Sequence, residues 1–205
     1  MTTSKLRRIV LLRHGDTVGD SQNRYHGSGD LALSDEGRAQ MRETSRTLSG
    51  EVFELVVASP LRRSWESAWI VAGGAPVRLE DGFREIHFGR WEGLTAQEIE
   101  ATDPVAYKDW QARTPGFEFP SGERRDDFRA RVAQGLERLV ASGAANVLVV
   151  AHKGVVRTIA EQLLGEPLAD GEPALGGGIS LTRRGESWQR GRRSSNPEGL
   201  DEAAA

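Results

Sequence analysis

Ile9-Val10-Leu11-Leu12-Arg13-His14-Gly15 is the stretch on which the fold turns. Its apolar residues show no polar alternation, which predicts a strand covered on both faces, as in a parallel sheet. That strand delivers Arg13, His14 and Gly15 to its carboxyl end, with Asp16 and Thr17 following. Open α/β sheets hold ligands at this end. An imidazole on a rigid strand tip beside a guanidinium suits an anion. A histidine hydrogen-bonded to a neighbouring loop accounts for the tripeptide equally well.

A second unbroken apolar run, 147–151, ends in His152 and is followed by Lys153, Gly154 and a helical pattern. A third, 55–58, runs into Ser59-Pro60-Leu61-Arg62-Arg63. Further strand signals lie at 77–79 and 179–182, with a weaker one at 187–189. Helical patterns fill the intervals. Ser34 reads as an N-cap before Asp35 and Glu36, opening a helix that runs to about Leu48. Ser59-Pro60 reads as a cap and first-turn proline ahead of Leu61, Trp65, Ala68, Trp69 and Ala72 at helical spacing. Residues 95–98 match a capping box, and Ser121 opens a longer helix with the stripe Phe128, Val132, Leu136, Leu139 and Val140. Val155, Ile159 and Leu163 then lead to a terminal Gly165.

Strands alternating with helices predict an α/β fold, a three-layer α/β/α sandwich with a mostly parallel central sheet. Residues 1–190 read as one domain and 191–205 as a polar tail. Two irregular segments, 18–33 and 79–121, are of the kind that forms binding loops over strand tips.

Composition narrows the function. Lys+Arg 27 against Asp+Glu 30 gives no overall field for nucleic acid or an anionic membrane, so a basic site must be local. The absence of cysteine removes disulfides, thiolate nucleophiles and Cys-ligated zinc. No run approaches the roughly 18 apolar residues of a membrane span. These features point to a cytoplasmic protein. For metal binding, no His-x-x-x-His spacing occurs, and Asp16 lies in a turn next to His14. Two arginines in the first turn after residue 60 oppose the helix dipole, which fits an anion at that end or simply two solvated side chains.

Four blocks in order carry a resemblance: Arg13-His14-Gly15-Asp16-Thr17, Ser59-Pro60-Leu61-Arg62-Arg63, Glu85-Ile86-His87-Phe88-Gly89-Arg90-Trp91-Glu92-Gly93, and Ala151-His152-Lys153-Gly154-Val155-Val156-Arg157. Together they resemble the histidine phosphatase superfamily, in its phosphoglycerate mutase-like branch. The resemblance implies a covalent phosphohistidine mechanism with neither metal nor cofactor. Residue by residue, it makes His14 the nucleophile. Arg13, Arg63 and His152 line the phosphate pocket, and Glu85 is the proton donor. It adds Arg24 as a further phosphate contact, while Asp20 stands where relatives carry asparagine and is expected to face a substrate hydroxyl. Lys153 stands where relatives often have glycine.

The chemistry asks for the same groups. A phosphate monoester is a dianion with a poor leaving group, so its hydrolysis needs charge neutralisation and an acid. His14 must be neutral with one ring nitrogen free, whereas His152 is expected to be charged beside the phosphate. Burial raises the pKa of Glu85 and neighbouring cations lower it, so the sequence leaves its protonation open. The implied reaction is hydrolysis of a small phosphomonoester, with a sugar phosphate suited to the Trp and Tyr residues of the two loops. The alternatives are phosphoglycerate mutase-type phosphoryl transfer and alpha-ribazole phosphatase action in cobalamin synthesis. A metal-dependent hydrolase and a non-catalytic phosphate-binding module rank below these. Trp65 and Trp69 are available to a homodimer or to a core.

Overall fold

The structure is a computed structural model that describes residues 5–19 and 23–191. Six strands, β1 (Arg8–Arg13), β2 (Leu55–Ala58), β3 (Arg78–Leu79), β4 (Asn146–Ala151), β5 (Gly178–Arg184) and β6 (Ser187–Arg190), form one sheet in the order β3-β2-β4-β1-β5-β6. The first four in that order pair in parallel, and β5 and β6 join antiparallel. The helices are α1 (Asp35–Thr47), α2 (Arg62–Val71), α3 (Ala96–Thr102), α4 (Pro104–Gln111), α5 (Arg125–Ala141) and α6 (Lys153–Leu164).

Strand alternation produces the layers. Ile9 and Leu11 of β1, with Val147, Val149 and Ala151 of β4, enter one core, shared with Val132, Leu136 and Leu139 of α5 and Val155, Val156 and Ile159 of α6. Val10, Leu12, Leu148 and Val150 face the other way and meet Met41 of α1 and Ala68 of α2. Both faces of β1 and β4 are therefore covered, which is why their sequences are apolar throughout. Each fully buried aliphatic side chain contributes about 1.5–3 kcal/mol.

Two helix starts differ from the sequence reading. α2 begins at Arg62 with Leu61 in the N-cap position, and Ser59 caps no helix. Its buried face is Arg63, Ser64, Ser67 and Ala68, while Trp65 and Trp69 are 40% and 59% exposed. α5 begins at Arg125, because Ser121 takes a left-handed φ of 55° that a helix N-terminus does not use. Two short helices, α3 and α4, organise what read as a largely irregular segment, and the capping box of Thr95 and Glu98 is present. That segment packs around Trp91, which is fully buried and donates its indole N–H to Asp103 at 3.0 Å. Tyr107, Phe117 and Phe119 contact the Trp91 ring. These aromatics form core, so most of them are not open to stack on a substrate. Residues 192–205 of the expected tail lie outside the described residues. Among the described residues, no helix is long and apolar enough to cross a membrane.

Candidate active site

Parallel register places the two histidines. Arg13 of β1 lies opposite Ala151 of β4, so the next residue on each chain, His14 and His152, leaves the sheet side by side. Their ring centroids are 5.2 Å apart, about one inter-strand spacing. β2 continues the series: Ala58 pairs with Val150, and the following residue, Ser59, brings its Oγ to 2.8 Å from His152 Nε2.

The tautomer of His14 follows from its partners. Nδ1 lies 2.7 Å from the Gly15 carbonyl. A carbonyl only accepts, so Nδ1 carries the proton and Nε2 the lone pair. That lone pair accepts from Arg63 Nε at 3.2 Å. Burial, and then the Arg63 charge, hold His14 well below the ordinary imidazole value. The ring is therefore neutral, with a basic nitrogen among cations.

Arg63 is itself fixed by backbone. Its Nη1 donates to Gly29 O and its Nη2 to Gly27 O, both at 2.6 Å. Glu92 holds this loop in place, accepting from the backbone N–H groups of Gly27, Ser28 and Phe88 at 3.1, 3.0 and 2.9 Å. Arg62 points elsewhere, pairing with Glu66 at 2.6 Å, and its backbone N–H donates to Asp30, also at 2.6 Å. Asp30 thus supplies one carboxylate at this helix start.

Two buried polar atoms in the cluster have no hydrogen-bond partner among the described residues. Arg13 Nη1 donates to the Pro173 carbonyl at 3.2 Å, yet its Nε is buried and unbonded, as is Nδ1 of His152. An unsatisfied buried polar group costs about 1–3 kcal/mol. Two of them beside Arg63 fit a binding site for an oxyanion.

Without a bound anion, the surroundings of His152 disfavour its charged form. Burial, then Arg63, His14 and Arg13, push its pKa well below the ordinary value, so the ring is neutral. An imidazolium here requires the phosphate dianion itself to reverse the local field. Glu85 goes the other way, and burial wins. Its Oε2 accepts from Gly154 N and its Oε1 from Ile86 N, both at 3.0 Å. These bonds, with Arg63 and Arg13, oppose the shift, yet its pKa stands above the usual carboxylate value. Gly154 is what admits the carboxyl group, since a Cβ there would sit 2.5 Å from Oε1.

The remaining expectations divide. Arg24 is not free for phosphate: its Nη1 donates to Gly93 O at 2.6 Å and to Glu98 at 2.9 Å, tying its loop to the start of α3. Asp20 lies outside the described residues. Lys153, the first residue of α6, makes no hydrogen bond or ion pair among the described residues, and burial lowers its pKa. His87 is exposed and accepts from Gly89 N through Nδ1. No cluster of three or more His, Cys, Asp or Glu able to hold a metal occurs among the described residues. The sequence reading missed Ser59, taken for a helix cap, together with Glu92 and the carbonyls of Gly27 and Gly29. Ser59 alone left a signal, as the residue after a third strand tip.

The sequence model of the histidine phosphatase superfamily (branch 1) matches residues 9–188. A glucosyl-3-phosphoglycerate phosphatase of Mycobacterium tuberculosis is 35% identical over 200 residues, covering 91% of this chain and 89% of the relative. An adenosylcobalamin/alpha-ribazole phosphatase of Salmonella typhimurium is 30% identical over 169 residues, covering 79% and 82%. The solved complex of the mycobacterial glucosyl-3-phosphoglycerate phosphatase with inorganic phosphate superposes with a TM-score of 0.73 at 32% identity, covering 92% of this chain and 97% of that one. By sequence over nearly its whole described length, and by fold, this chain belongs to the histidine phosphatase superfamily.

Proposed function

We propose that the chain hydrolyses small phosphomonoesters through a phosphohistidine on His14. The observation that carries this reading is the fixed tautomer, with Nδ1 anchored on the Gly15 carbonyl and the lone pair of Nε2 beside Arg63. Arg13, Arg63 and His152 take the non-bridging oxygens. Nε2 attacks phosphorus, the P–O bond to the alcohol breaks, and Glu85 gives its proton to the departing oxygen. Water then attacks the phosphoryl group, Glu85 takes a proton from it, the N–P bond breaks and inorganic phosphate leaves. The arginines supply the charge, so the scheme calls on no metal or cofactor.

The substrate we infer is a sugar-linked or similarly hydroxylated phosphate. Lys153, unpaired at the start of α6, favours one that carries a second anionic group, such as a phosphoglycerate carboxylate. Residues 1–190 act as one domain on this reading, in the cytoplasm, without nucleic acid or membrane partners. We infer that the exposed Trp65 and Trp69 serve a homodimer contact, which sedimentation tests directly. The test of function is phosphate release from a panel containing glucosyl-3-phosphoglycerate, alpha-ribazole phosphate and simple sugar phosphates. Release from at least one, lost in His14→Ala, supports the reading. Interconversion of phosphoglycerates without release favours mutase action, and no release from any member overturns hydrolysis.

A further inference from the structure

Glu85 lies outside the strands and helices, yet a proton donor needs a fixed position. One face of α5 supplies it. Arg131, Gly135 and Arg138 recur at helical spacing on that face, and each meets the chain between residues 80 and 87. Arg138 donates to both carboxylate oxygens of Glu80, at 3.1 and 2.6 Å. Gly135 makes room for Phe83, whose ring would lie 2.7 Å from a Cβ there.

Arg131 makes the decisive contacts. Its Nη1 donates to the carbonyls of Gly82 and Arg84 at 3.0 and 2.6 Å, and its Nη2 donates to the carbonyl of Glu85 itself at 3.1 Å. Nε and Nη2 also grip Glu123 in a fork at 2.6 and 2.8 Å. Glu123 in turn accepts from His87 N at 3.3 Å and donates its own N–H to His87 O at 2.9 Å. The guanidinium lies over the Phe128 ring, 4.8 Å from its centroid. Three carbonyls within four residues, the last belonging to Glu85, converge on one planar group. A lysine, with a single nitrogen, cannot span them.

We propose that Arg131 is the positioning residue of the general acid: its fork holds the Glu85 backbone so that the carboxyl group reaches the leaving oxygen. The proposal rests on the phosphohistidine reading above, with Glu85 as proton donor. Arg131 touches neither substrate nor the reacting atoms, so its effect must appear only where the leaving group needs a proton.

The experiment compares kcat/KM for an alkyl phosphomonoester and for p-nitrophenyl phosphate, in wild type, Arg131→Gln, Arg131→Lys and Glu85→Gln. This parameter covers steps through cleavage of the P–O bond and excludes later hydrolysis of the phosphohistidine. An alkoxide needs a proton to leave, whereas the acidic nitrophenol does not. Both Arg131 variants are expected to lose about 10- to 100-fold on the alkyl ester and less than about 3-fold on the aryl ester. Glu85→Gln shows the same split, larger. Adding Arg131→Gln to Glu85→Gln costs less than about 3-fold more, because both act through one group. Equal losses on the two esters, an unaffected Arg131→Lys or additive losses in the double variant would each overturn the assignment. If circular dichroism shows Arg131→Gln unfolded, Arg131→Lys decides, since it keeps the charge facing Glu123 and loses only the fork. A Glu85→Gln variant without the split would overturn the proton-donor reading instead, and the inference with it.

Discussion

Gly154→Ala tests the placement of Glu85 with a single methyl group. The added Cβ would stand 2.5 Å from Oε1 and 3.3 Å from Cδ of Glu85, with Phe128 Cζ also at 3.3 Å. Favourable contacts between heavy atoms begin near 3.5 Å, so the carboxyl group must retreat by about 1 Å. The retreat breaks the bond from Gly154 N and loosens the one from Ile86 N, both now 3.0 Å. Overpacking of this kind costs about 1–3 kcal/mol. Alanine in the helix returns about 1 kcal/mol relative to glycine, which leaves a net loss of about 0–2 kcal/mol. A displacement of 1 Å at a catalytic group lowers rate about 100-fold. Because Arg13, Arg63 and His152 are not displaced, phosphate affinity should stay within about 3-fold of wild type. The assay pairs kcat/KM on an alkyl phosphomonoester with calorimetric phosphate binding. A rate close to wild type, or affinity falling in step with rate, refutes the reasoning.

Three further outcomes follow from the charges. His152 is held neutral in this structure, and a bound dianion raises its pKa, so binding takes up a proton between the two values. Calorimetry with sulfate near neutral pH, in buffers of differing ionisation heat, should show this uptake, and His152→Asn should abolish it; a binding heat independent of buffer contradicts it. The raised pKa of Glu85 favours folding while its carboxyl group is protonated, below the ordinary carboxylate range, and that contribution is lost as pH rises through the raised value. Glu85→Gln should therefore melt higher than wild type at pH 8, by about 2–4 °C for each kcal/mol, with the gap closing in acid; a gap constant with pH counts against a buried carboxylate. Excess chelator should leave turnover unchanged, and loss of activity restored by a divalent metal would break the metal-free scheme.

The core of the fold was legible because strands covered on both faces leave an unmistakable apolar run, as in 9–12 and 147–151. The neighbouring placement of His14 and His152 then follows from strand order, which no local pattern encodes. Helix starts were less legible. Ser59 and Ser121 have the chemistry of caps, but Ser59 bonds to His152 and Ser121 sits in a left-handed turn. Charge states were the least legible. The charge on His152 depends on the bound anion: burial among arginines holds the ring neutral on its own, which no residue pattern encodes. Arg24 read as a phosphate ligand from its place in a motif, while Glu98, far along the chain, claims it. Glu92 and Arg131 act on backbone carbonyls and N–H groups, and such contacts leave no mark on residue type.

The central claim is that His14 Nε2 becomes covalently phosphorylated during turnover. Rapid acid-free quenching with a labelled phosphomonoester, followed by peptide mapping, tests it most directly. The account predicts label on the peptide containing His14, stable in base, labile in acid and absent from His14→Ala. Label on another residue, or full turnover by His14→Ala, contradicts it.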